Sequence, residues 1–285
     1  MMFAVLGSTG KTGRYLVERL CADGHEVIAI GRSQARLDAL GGAPRRVVAD
    51  FEHPLTVAKA LVGATREVSC AHARFTGTLL ECLPSSCQRR VLTGSTRRFS
   101  RLPDPAADAV RAGEAAFLSS GVPGVMLHPT MIYGAPDDRN VNRMLRLVRR
   151  VSVIPLPNGG RSLLQPLFVD DMVDALAAAA ERPTALGASI VVAGPEPISY
   201  ADMVRACARA VDRKVTIVPV PAPLLGAGAR LAALLGLRPT FDAAEIRRAS
   251  EDKSFDIAAM RKRLGVSPRA FEDGLRLKLE RGWVS

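Results

Sequence analysis

The sequence predicts an α/β protein with a doubly wound parallel sheet and a smaller C-terminal subdomain. Short β-rich apolar runs alternate with stretches of helical period, which is the pattern of βαβ units. The runs are almost continuously apolar, as in parallel strands that helices cover on both faces. With 285 residues and 48% hydrophobic composition, the chain is long enough to bury such a core.

Six strand-like runs follow one another, separated by helical stretches such as GRYLVERLCADG and DAVRAGEAAFLSSG. They are MFAVLGS, HEVIAIGR, RRVVADF, EVSCAHA, RRVLTGST and GVMLHPTMIYG. This alternation ends near residue 134. We therefore predict a core domain over residues 1–134 and a subdomain over most of residues 135–285, with some later segments returning to the core.

The second part of the chain has a different pattern. Its expected elements are a helix (NVNRMLRLVRR), a strand (VSVIPLP), a glycine turn (NGG), a helix that opens at DDMVDALAAAAE, and two strands (SIVVAG and VTIVPVP). From about residue 222 onward the pattern indicates mainly helix. No internal repeat or low-complexity linker separates the two parts.

Charge and cysteine content narrow the class of protein. The net charge is +11, but the basic residues are scattered through every segment, and no aromatic stacking platform accompanies them, so nucleic-acid binding is not expected. Five cysteines without a CxxC pair favour neither a disulfide framework nor a metal site. The longest nearly apolar stretch is interrupted by three prolines and Arg230, so we expect no membrane span. The cysteine content fits a reducing cytoplasm, with peripheral membrane contact as the alternative.

A glycine turn directly follows the first predicted strand. In GSTGKTGRYL, Gly7 permits a tight turn, Gly10 lets the backbone approach a pyrophosphate, and Gly13 lets the next helix pack against the strand. The N-terminus of that helix offers N–H groups to phosphates. We therefore predict a dinucleotide site in residues 1–134. Its remaining members in the turn are Ser8, Thr9, Lys11 and Thr12.

The end of the second strand indicates which dinucleotide binds. NAD-binding proteins place an acidic residue there to hold the ribose hydroxyls, whereas this strand ends with Arg32. Arg32 and Lys11 would both pair with a 2′-phosphate, so NADP(H) is favoured over NAD(H). Asp50 ends the third strand, where it is placed to reach the adenine edge, with Phe51 beside it.

These motifs, together with VLTGST, HPTMIYGAPDDRN, QPLFVDDMVDAL and EDKSFDIAAMRKRLGVSPRAFEDGL, give nearly the whole chain a recognisable pattern. It resembles the short-chain dehydrogenase/reductase superfamily, in particular its extended and atypical members. These include epimerase/dehydratase-like and NmrA-like proteins and the accessory subunit of respiratory complex I. The resemblance implies a Rossmann sheet with a nicotinamide across the carboxyl ends of the strands. It also implies cofactor contacts at Thr93, Ser95, Pro129 and Thr130.

The chain lacks the proton-transfer pair of active superfamily members, which is a tyrosine followed four residues later by a lysine. Its three tyrosines are followed at that spacing by Arg19, Asp137 and Val204. In the helix that would carry the pair, the two positions fall on Ala106 and Val110. No lysine lies between residues 59 and 214, so a lone-lysine mechanism is not matched either.

Ser95 and His128 remain as candidate catalytic residues. Ser95 and Thr96 match the serine position of the superfamily and are placed to orient a carbonyl or the nicotinamide amide. His128 lies near the expected nicotinamide site and titrates in the range that suits acid/base chemistry, although a histidine inside an apolar strand is more often a core residue. His72 is a similar case, and Tyr133 is expected to be structural.

Three functions stay open on the sequence alone. The first is an NADP(H)-binding protein whose cofactor is structural or sensory. The second is an oxidoreductase or epimerase that acts on a small carbonyl or nucleotide-sugar substrate with a non-standard proton donor. The third is an assembly subunit that docks on a respiratory or membrane-associated partner through an arginine face on one helix, formed by Arg139, Arg143, Arg146 and Arg150. Arg97 and Arg98, at the carboxyl end of the fifth strand, are candidates for an anionic substrate.

Overall fold

The main sheet of the computed structural model has seven parallel strands, and the structure describes residues 1–82, 84, 86–182, 187–234, 243–248 and 250–283. Its strands are β1 (Met2–Leu6), β2 (Glu26–Gly31), β3 (Arg45–Val48), β4 (Arg66–Ser69), β5 (Arg89–Thr93), β6 (Gly124–Pro129) and β11 (Ala188–Val192). Their order across the sheet is β11-β6-β5-β4-β1-β2-β3. This sheet confirms the predicted doubly wound fold class.

Eleven helices lie within the described residues. They are α1 (Gly13–Ala22), α2 (Gln34–Asp38), α3 (Pro54–Ala60), α4 (Thr76–Glu81), α5 (Pro105–Ser119), α6 (Arg139–Arg150), α7 (Val169–Glu181), α8 (Tyr200–Arg209), α9 (Ala222–Leu234), α10 (Ala243–Arg248) and α11 (Phe271–Glu280). Among these described helices, none is both long and apolar enough to cross a bilayer.

The chain folds into two compact units. The first comprises residues 1–130, 169–192 and 256–267, and it contains the whole seven-stranded sheet. The second comprises residues 131–168, 193–255 and 268–285. Short strand pairs lie within this second unit. They are β7 (Ile132–Tyr133) with β10 (Leu167–Phe168), β9 (Leu163–Leu164) with β12 (Ile198–Ser199), and β8 (Val153–Pro157) with β13 (Thr216–Val220).

The core of the first unit is built from the alternating faces of the central strands. Ala4 and Leu6 of β1 and Ile28 and Ile30 of β2 are buried in one cluster. Helices α3, α4 and α5 cover this cluster, with Phe117 of α5 among its members. The strand order reverses between β1 and β4, so a crevice opens at their carboxyl ends, where ligands bind in open α/β sheets.

An aromatic cluster organises the second unit. The Tyr133 ring lies 5.3 Å from the ring of Phe168 and 4.9 Å from that of Phe271. The Tyr133 hydroxyl donates to the Phe271 carbonyl over 3.0 Å. This bond links β7 to the start of α11 and satisfies a buried phenol, which agrees with the structural role expected for Tyr133.

Candidate functional site

The glycine turn after β1 has the tight geometry that its sequence predicts. Gly7 adopts φ +73°, a left-handed conformation, and its carbonyl accepts from the Gly10 N–H over 2.9 Å. A Cβ on Gly13 would lie 2.3 Å from the Gly7 carbonyl oxygen, so only glycine lets α1 begin this close to the turn. Helix α1 therefore begins beside the crevice between β1 and β4, and its first N–H groups are available to a ligand there.

The turn is fixed against β2 by its own polar groups. The N–H groups of Gly7 and Ser8 both donate to the Ile30 carbonyl, over 3.0 and 3.1 Å. Ser8 is fully buried, and its hydroxyl donates to the same carbonyl over 3.0 Å. A Cβ on Gly31 would lie 3.2 Å from the Thr9 methyl carbon, so Thr9 packs at the end of β2. Ser8 therefore positions the turn by holding it to β2.

Positive side chains surround the place where β2 ends at the glycine turn. Arg32 and Lys11 are exposed, and neither has a hydrogen bond or ion pair within the described part of the chain. Arg36, one helical turn further on, donates from Nη2 to the Thr9 carbonyl over 2.6 Å. Sequence reasoning missed Arg36, although a second arginine four residues after Arg32 was the available signal. The three cations form a basic rim around this end of the crevice.

The residues after β3 have mainly local contacts. Asp50 is half-buried, and its Oδ1 accepts from the Glu52 N–H over 3.1 Å. Phe51 is 6% exposed and belongs to the core cluster, where its ring lies 5.6 Å from that of Phe75. The predicted contacts of Asp50 and Phe51 with an adenine stay predictions.

Three hydroxyl groups follow one another at the carboxyl end of β5. The Thr93 hydroxyl donates to the Ser69 carbonyl over 2.7 Å, and the Thr96 hydroxyl donates to the Pro129 carbonyl over 3.1 Å. Ser95 Oγ accepts from the Arg97 N–H over 3.1 Å. The Thr130 N–H donates to the Val192 carbonyl over 3.0 Å, and this bond fixes the end of β6. The predicted contact residues at the ends of β5 and β6 are therefore held at the same edge of the sheet.

His128 is 1% exposed and has polar partners at both ring nitrogens. Nδ1 lies 3.1 Å from the Ser95 backbone nitrogen. Nε2 lies 3.1 Å from Glu114 Oε1 and 2.7 Å from Ser189 Oγ. Sequence reasoning had no signal for the Ser189 contact, because Ser189 lies 61 residues further along the chain. Direct acid/base catalysis by His128 stays a prediction that these contacts do not favour.

The remaining charged candidates at this edge already have partners. Arg97 lies 3.2 Å from Asp104, and Arg98 lies 2.6 Å from Glu114. His72 is exposed, and its Nδ1 accepts from the Arg74 N–H over 3.2 Å. Partial burial, with the positive charges of Arg74 and Arg97, lowers the pKa of His72 below its ordinary value. This edge of the sheet is thus positively charged but internally paired.

The two positions predicted for the tyrosine and the lysine, Ala106 and Val110, lie on α5. Ala106 is half-buried in the first turn of α5, and Val110 is buried. Neither side chain has a group that transfers a proton. Both predicted positions thus lie on α5, the helix that follows the turn containing Ser95 and Thr96.

The arginine face lies on α6 in the second unit, opposite the apolar residues that α6 buries. Val141, Met144, Leu145 and Val148 are buried. Arg143 makes two contacts of 3.1 Å with the Glu245 carboxylate, so one member of the face is paired within its own unit. Docking of a partner on this face stays a prediction.

The fold and the glycine turn define the class of protein, and comparison with known families agrees. Residues 7–116 match the family described as NAD(P)H-binding. Residues 7–116 are thus similar to NAD(P)H-binding domains, and the fold of the chain is that of solved oxidoreductase and epimerase structures.

Particular relatives follow from sequence comparison. An uncharacterised protein of Mycobacterium tuberculosis is 25% identical over 94% of the chain, and the chain spans only 28% of that relative's length. The mitochondrial NADH dehydrogenase [ubiquinone] 1 alpha subcomplex subunit 9 of Arabidopsis thaliana is 25% identical over 67% of the chain and 53% of its own length.

Solved structures share the fold over both units. The NADPH-dependent quinone oxidoreductase of Escherichia coli, bound to NADPH, superposes with a TM-score of 0.76 at 16% identity, covering 98% of this chain and all of that one. The UDP-glucose 4-epimerase of Thermus thermophilus, bound to NAD, gives 0.73 at 17% identity, covering 98% of each chain. Structural neighbours of this fold thus include complexes with either dinucleotide.

Proposed function

We propose that the chain binds NADP(H) in preference to NAD(H). The observation that carries this proposal is the basic rim of Arg32, Arg36 and Lys11 where β2 meets the glycine turn. A 2′-phosphate is a dianion that arginine binds with charge-assisted, often bidentate hydrogen bonds. Arg32 has no partner among the described residues, so binding a phosphate breaks no existing ion pair there.

Position 32, at the end of β2, carries no carboxylate that would hold the ribose. An acidic side chain at the end of β2 would repel a 2′-phosphate and hold the hydroxyls of NAD(H) instead. The nearest acidic residue on α2 is Asp38, and its Oδ1 accepts from Gln34 over 2.8 Å. The three side chains that we propose for the phosphate, Arg32, Arg36 and Lys11, are therefore all positively charged.

Isothermal titration with NADPH and NADH tests this preference. Replacing Arg32 by glutamate removes a charge-assisted contact worth about 1.5–3 kcal/mol and adds repulsion, so the Kd for NADPH should rise at least about tenfold. The Kd for NADH should change by less than about threefold, since NADH has no 2′-phosphate.

Arg276→Glu is the charge control. Arg276 is 68% exposed on α11 in the other unit, and its substitution changes the net charge by the same amount as Arg32→Glu. It should leave both affinities unchanged. Equal losses for NADPH in the Arg32 and Arg276 variants would contradict a specific phosphate contact, and so would wild-type protein that binds both cofactors equally.

We further propose that the cofactor has a structural or sensory role. Support comes from the absence of the Tyr-x-x-x-Lys pair in the sequence, and from Ala106 and Val110 at the positions where it would lie. The hydroxyls that we expect near the nicotinamide, those of Ser95 and Thr96, are weak acids, and their hydrogen bonds to the Arg97 N–H and the Pro129 carbonyl supply no basic group that would activate them. Tight binding with little turnover is the expected behaviour.

The second candidate function is an oxidoreductase or epimerase with a non-standard proton donor, acting on a small carbonyl or nucleotide-sugar substrate. The hydroxyls of Ser95 and Thr96 at the carboxyl edge of β5 support this alternative, because they match the serine position from which the superfamily resemblance implies that a carbonyl is oriented. Consumption of NADPH with a panel of carbonyl compounds and quinones tests it. We expect no turnover above the uncatalysed rate. Sustained turnover that His128→Ala abolishes would replace the first proposal with the second.

The partner and location predictions belong with these proposals. An assembly role through the arginine face of residues 139–150 would be supported if reversing Arg139, Arg146 and Arg150 abolished copurification of a defined respiratory subunit. A cytoplasmic location, with peripheral membrane contact as the alternative, stays a prediction. So does a small anionic substrate.

A further inference from the structure

A polar cluster with a buried centre lies in the first unit beneath the hydroxyl-bearing turn after β5, and its outer members, Ser95, Arg98 and Ser189, are half-buried or exposed. It joins Ser95 at the start of that turn, Arg98 within it, Glu114 on α5, His128 on β6 and Ser189 on β11. Glu114 is 4% exposed and His128 is 1% exposed. The proposed cofactor contacts assign no role to Glu114 and His128, the two buried members of this cluster.

The hydrogen bonds of the cluster determine which ring nitrogen of His128 carries a proton. A backbone N–H only donates, so Nδ1, which lies 3.1 Å from the Ser95 nitrogen, must be the unprotonated acceptor. The proton of a neutral ring is then on Nε2, which donates to Ser189 Oγ or Glu114 Oε1. This is the only neutral tautomer that keeps the Ser95 bond.

Both oxygens of the Glu114 carboxylate, at the other end of the cluster, also have partners. The Ser189 hydroxyl donates to Glu114 Oε1 over 2.5 Å, and the second carboxylate oxygen pairs with Arg98 Nε at 2.6 Å. The bonds therefore run in one direction from His128 Nε2 through Ser189 to Glu114. Arg98 connects Glu114 back to the turn that contains Ser95, because Arg98 belongs to that turn.

The backbone next to the ring is shaped to accept it. A Cβ on Gly94 would lie 2.4 Å from His128 Nδ1 and 2.5 Å from its Cε1. Any other residue at position 94 would push the ring away from the Ser95 amide. The Gly94 N–H donates to the Leu127 carbonyl over 2.7 Å, so the segment is fixed on both sides of this close approach.

The charged and polar groups that face the ring come from each element packed against it. Burial lowers the pKa of His128, the positive charge of Arg98 on the turn also lowers it, and Glu114 on α5 acts in the opposite direction. The Ser95 amide on the turn and the Ser189 hydroxyl on β11 complete the set. The Ser95 bond requires an unprotonated Nδ1, and burial, the largest of these effects, changes the pKa in the direction that favours a neutral ring.

We propose that His128 is a positioning residue whose neutral ring, protonated at Nε2, holds the Ser95 amide and thereby fixes the Ser95 and Thr96 hydroxyls at the sheet edge. The inference rests on the proposed cofactor function only for its last step, in which those hydroxyls face the nicotinamide end of the cofactor. Protonation of Nδ1 would place two donors against each other and release the turn.

Nitrogen-15 NMR of the intact, cofactor-free chain tests the tautomer directly. The expected spectrum at pH 7.5 shows a neutral His128 with a protonated Nε2 and an unprotonated Nδ1. Protection of the Ser95 amide from hydrogen exchange should fall on acidification with the same midpoint as the ring titration, below the ordinary histidine pKa. A protonated Nδ1 at pH 7.5, or Ser95 protection independent of the ring, would overturn the proposal.

Variants separate positioning from packing. In His128→Asn, the side-chain oxygen can replace Nδ1 as acceptor, so Ser95 exchange should stay within about threefold of wild type but lose the acidic midpoint. His128→Leu should speed exchange about fivefold to tenfold, the loss expected for one hydrogen bond. Ser189→Ala is the control, because it removes a partner of Nε2 and leaves the Ser95 bond intact. Equal exchange in the Asn and Leu variants would contradict positioning.

Titration of the wild-type protein with NADPH and NADH, beside the NMR and exchange experiments, distinguishes this inference from the proposed function. If the tautomer and exchange results hold while wild-type protein binds no nicotinamide dinucleotide, the positioning role stands and the proposed function fails. If wild-type protein binds NADPH but Ser95 protection does not follow the ring, the inference fails and the proposed function stands.

Discussion

At the residue scale, Gly13 is the position where a single added Cβ atom would prevent the glycine turn from forming. An added Cβ would meet three backbone atoms, at 2.3 Å from the Gly7 carbonyl oxygen and 2.9 Å from Gly7 C and Ser8 Cα. Backbone atoms cannot rotate away as a flexible side chain can. A Gly13→Ala substitution should therefore destabilise the fold by about 1–3 kcal/mol and weaken NADPH binding.

Urea denaturation with and without NADPH measures both effects. Gly77→Ala is the matched control, because Gly77 lies in α4, and a Cβ there would meet nothing within 4 Å. That variant should be neutral or gain up to about 1 kcal/mol from helix propensity. If Gly13→Ala behaved like Gly77→Ala, the tight turn would not be needed for the site.

The residues of the glycine turn could be predicted from sequence because their roles depend on local backbone geometry. The cluster around His128 could not, because its members lie far apart in the chain and a histidine in an apolar strand has no distinctive pattern. Glu114 and His128 are separated by 14 residues, and Ser189 lies 61 residues after His128. Arg36 is intermediate, since its spacing from Arg32 was visible but its bond to Thr9 was not.

At the scale of the elements, the central strands β4 and β5 are joined by a fully buried ion pair. Glu67 and Arg90 are register partners across the two strands, and both side chains are 0% exposed. Arg90 Nε donates to Glu67 Oε2 over 3.0 Å. Glu67 Oε1 and Arg90 Nη1 have no hydrogen-bond partner among the described residues, so the pair is incompletely satisfied.

Removing one member of this pair leaves a buried charge, which costs more than the pair contributes. We expect Glu67→Gln to lower the free energy of unfolding by about 3–5 kcal/mol. The double variant Glu67→Leu with Arg90→Met should recover most of that loss, since it removes both charges. Chemical denaturation of the single and double variants checks this, and a single variant that lost less than about 1 kcal/mol would contradict it.

The elements that sequence patterns predicted are those with long apolar runs. The six runs of the first half became β1 to β6. Five of these strands are buried at all but at most one position, as expected of parallel strands covered on both faces, whereas the edge strand β3 is exposed at both ends. The two-residue strands such as β9 and β12 could not be predicted, because two residues show no periodicity. The pairing of β8 with β13 depends on a partner 63 residues away, from Val153 to Thr216, that no local pattern indicates.

At the scale of the whole molecule, the fold defines a class and the site defines the chemistry. The same fold supports an epimerase with bound NAD and a quinone oxidoreductase with bound NADPH, so fold alone does not assign a reaction. This chain has an arginine rather than an acid at the end of β2, and its sequence contains no Tyr-x-x-x-Lys pair. The proposed function depends on these two features.

The crystal structure of the chain with NADP⁺ tests the central claim most directly. Our account predicts the pyrophosphate at the N-terminus of α1 and the 2′-phosphate within hydrogen-bond distance of Arg32, with Arg36 or Lys11 as a second cation. A complex in which the 2′-phosphate points away from these side chains would contradict it. A crevice that stayed empty at saturating cofactor would contradict it as well.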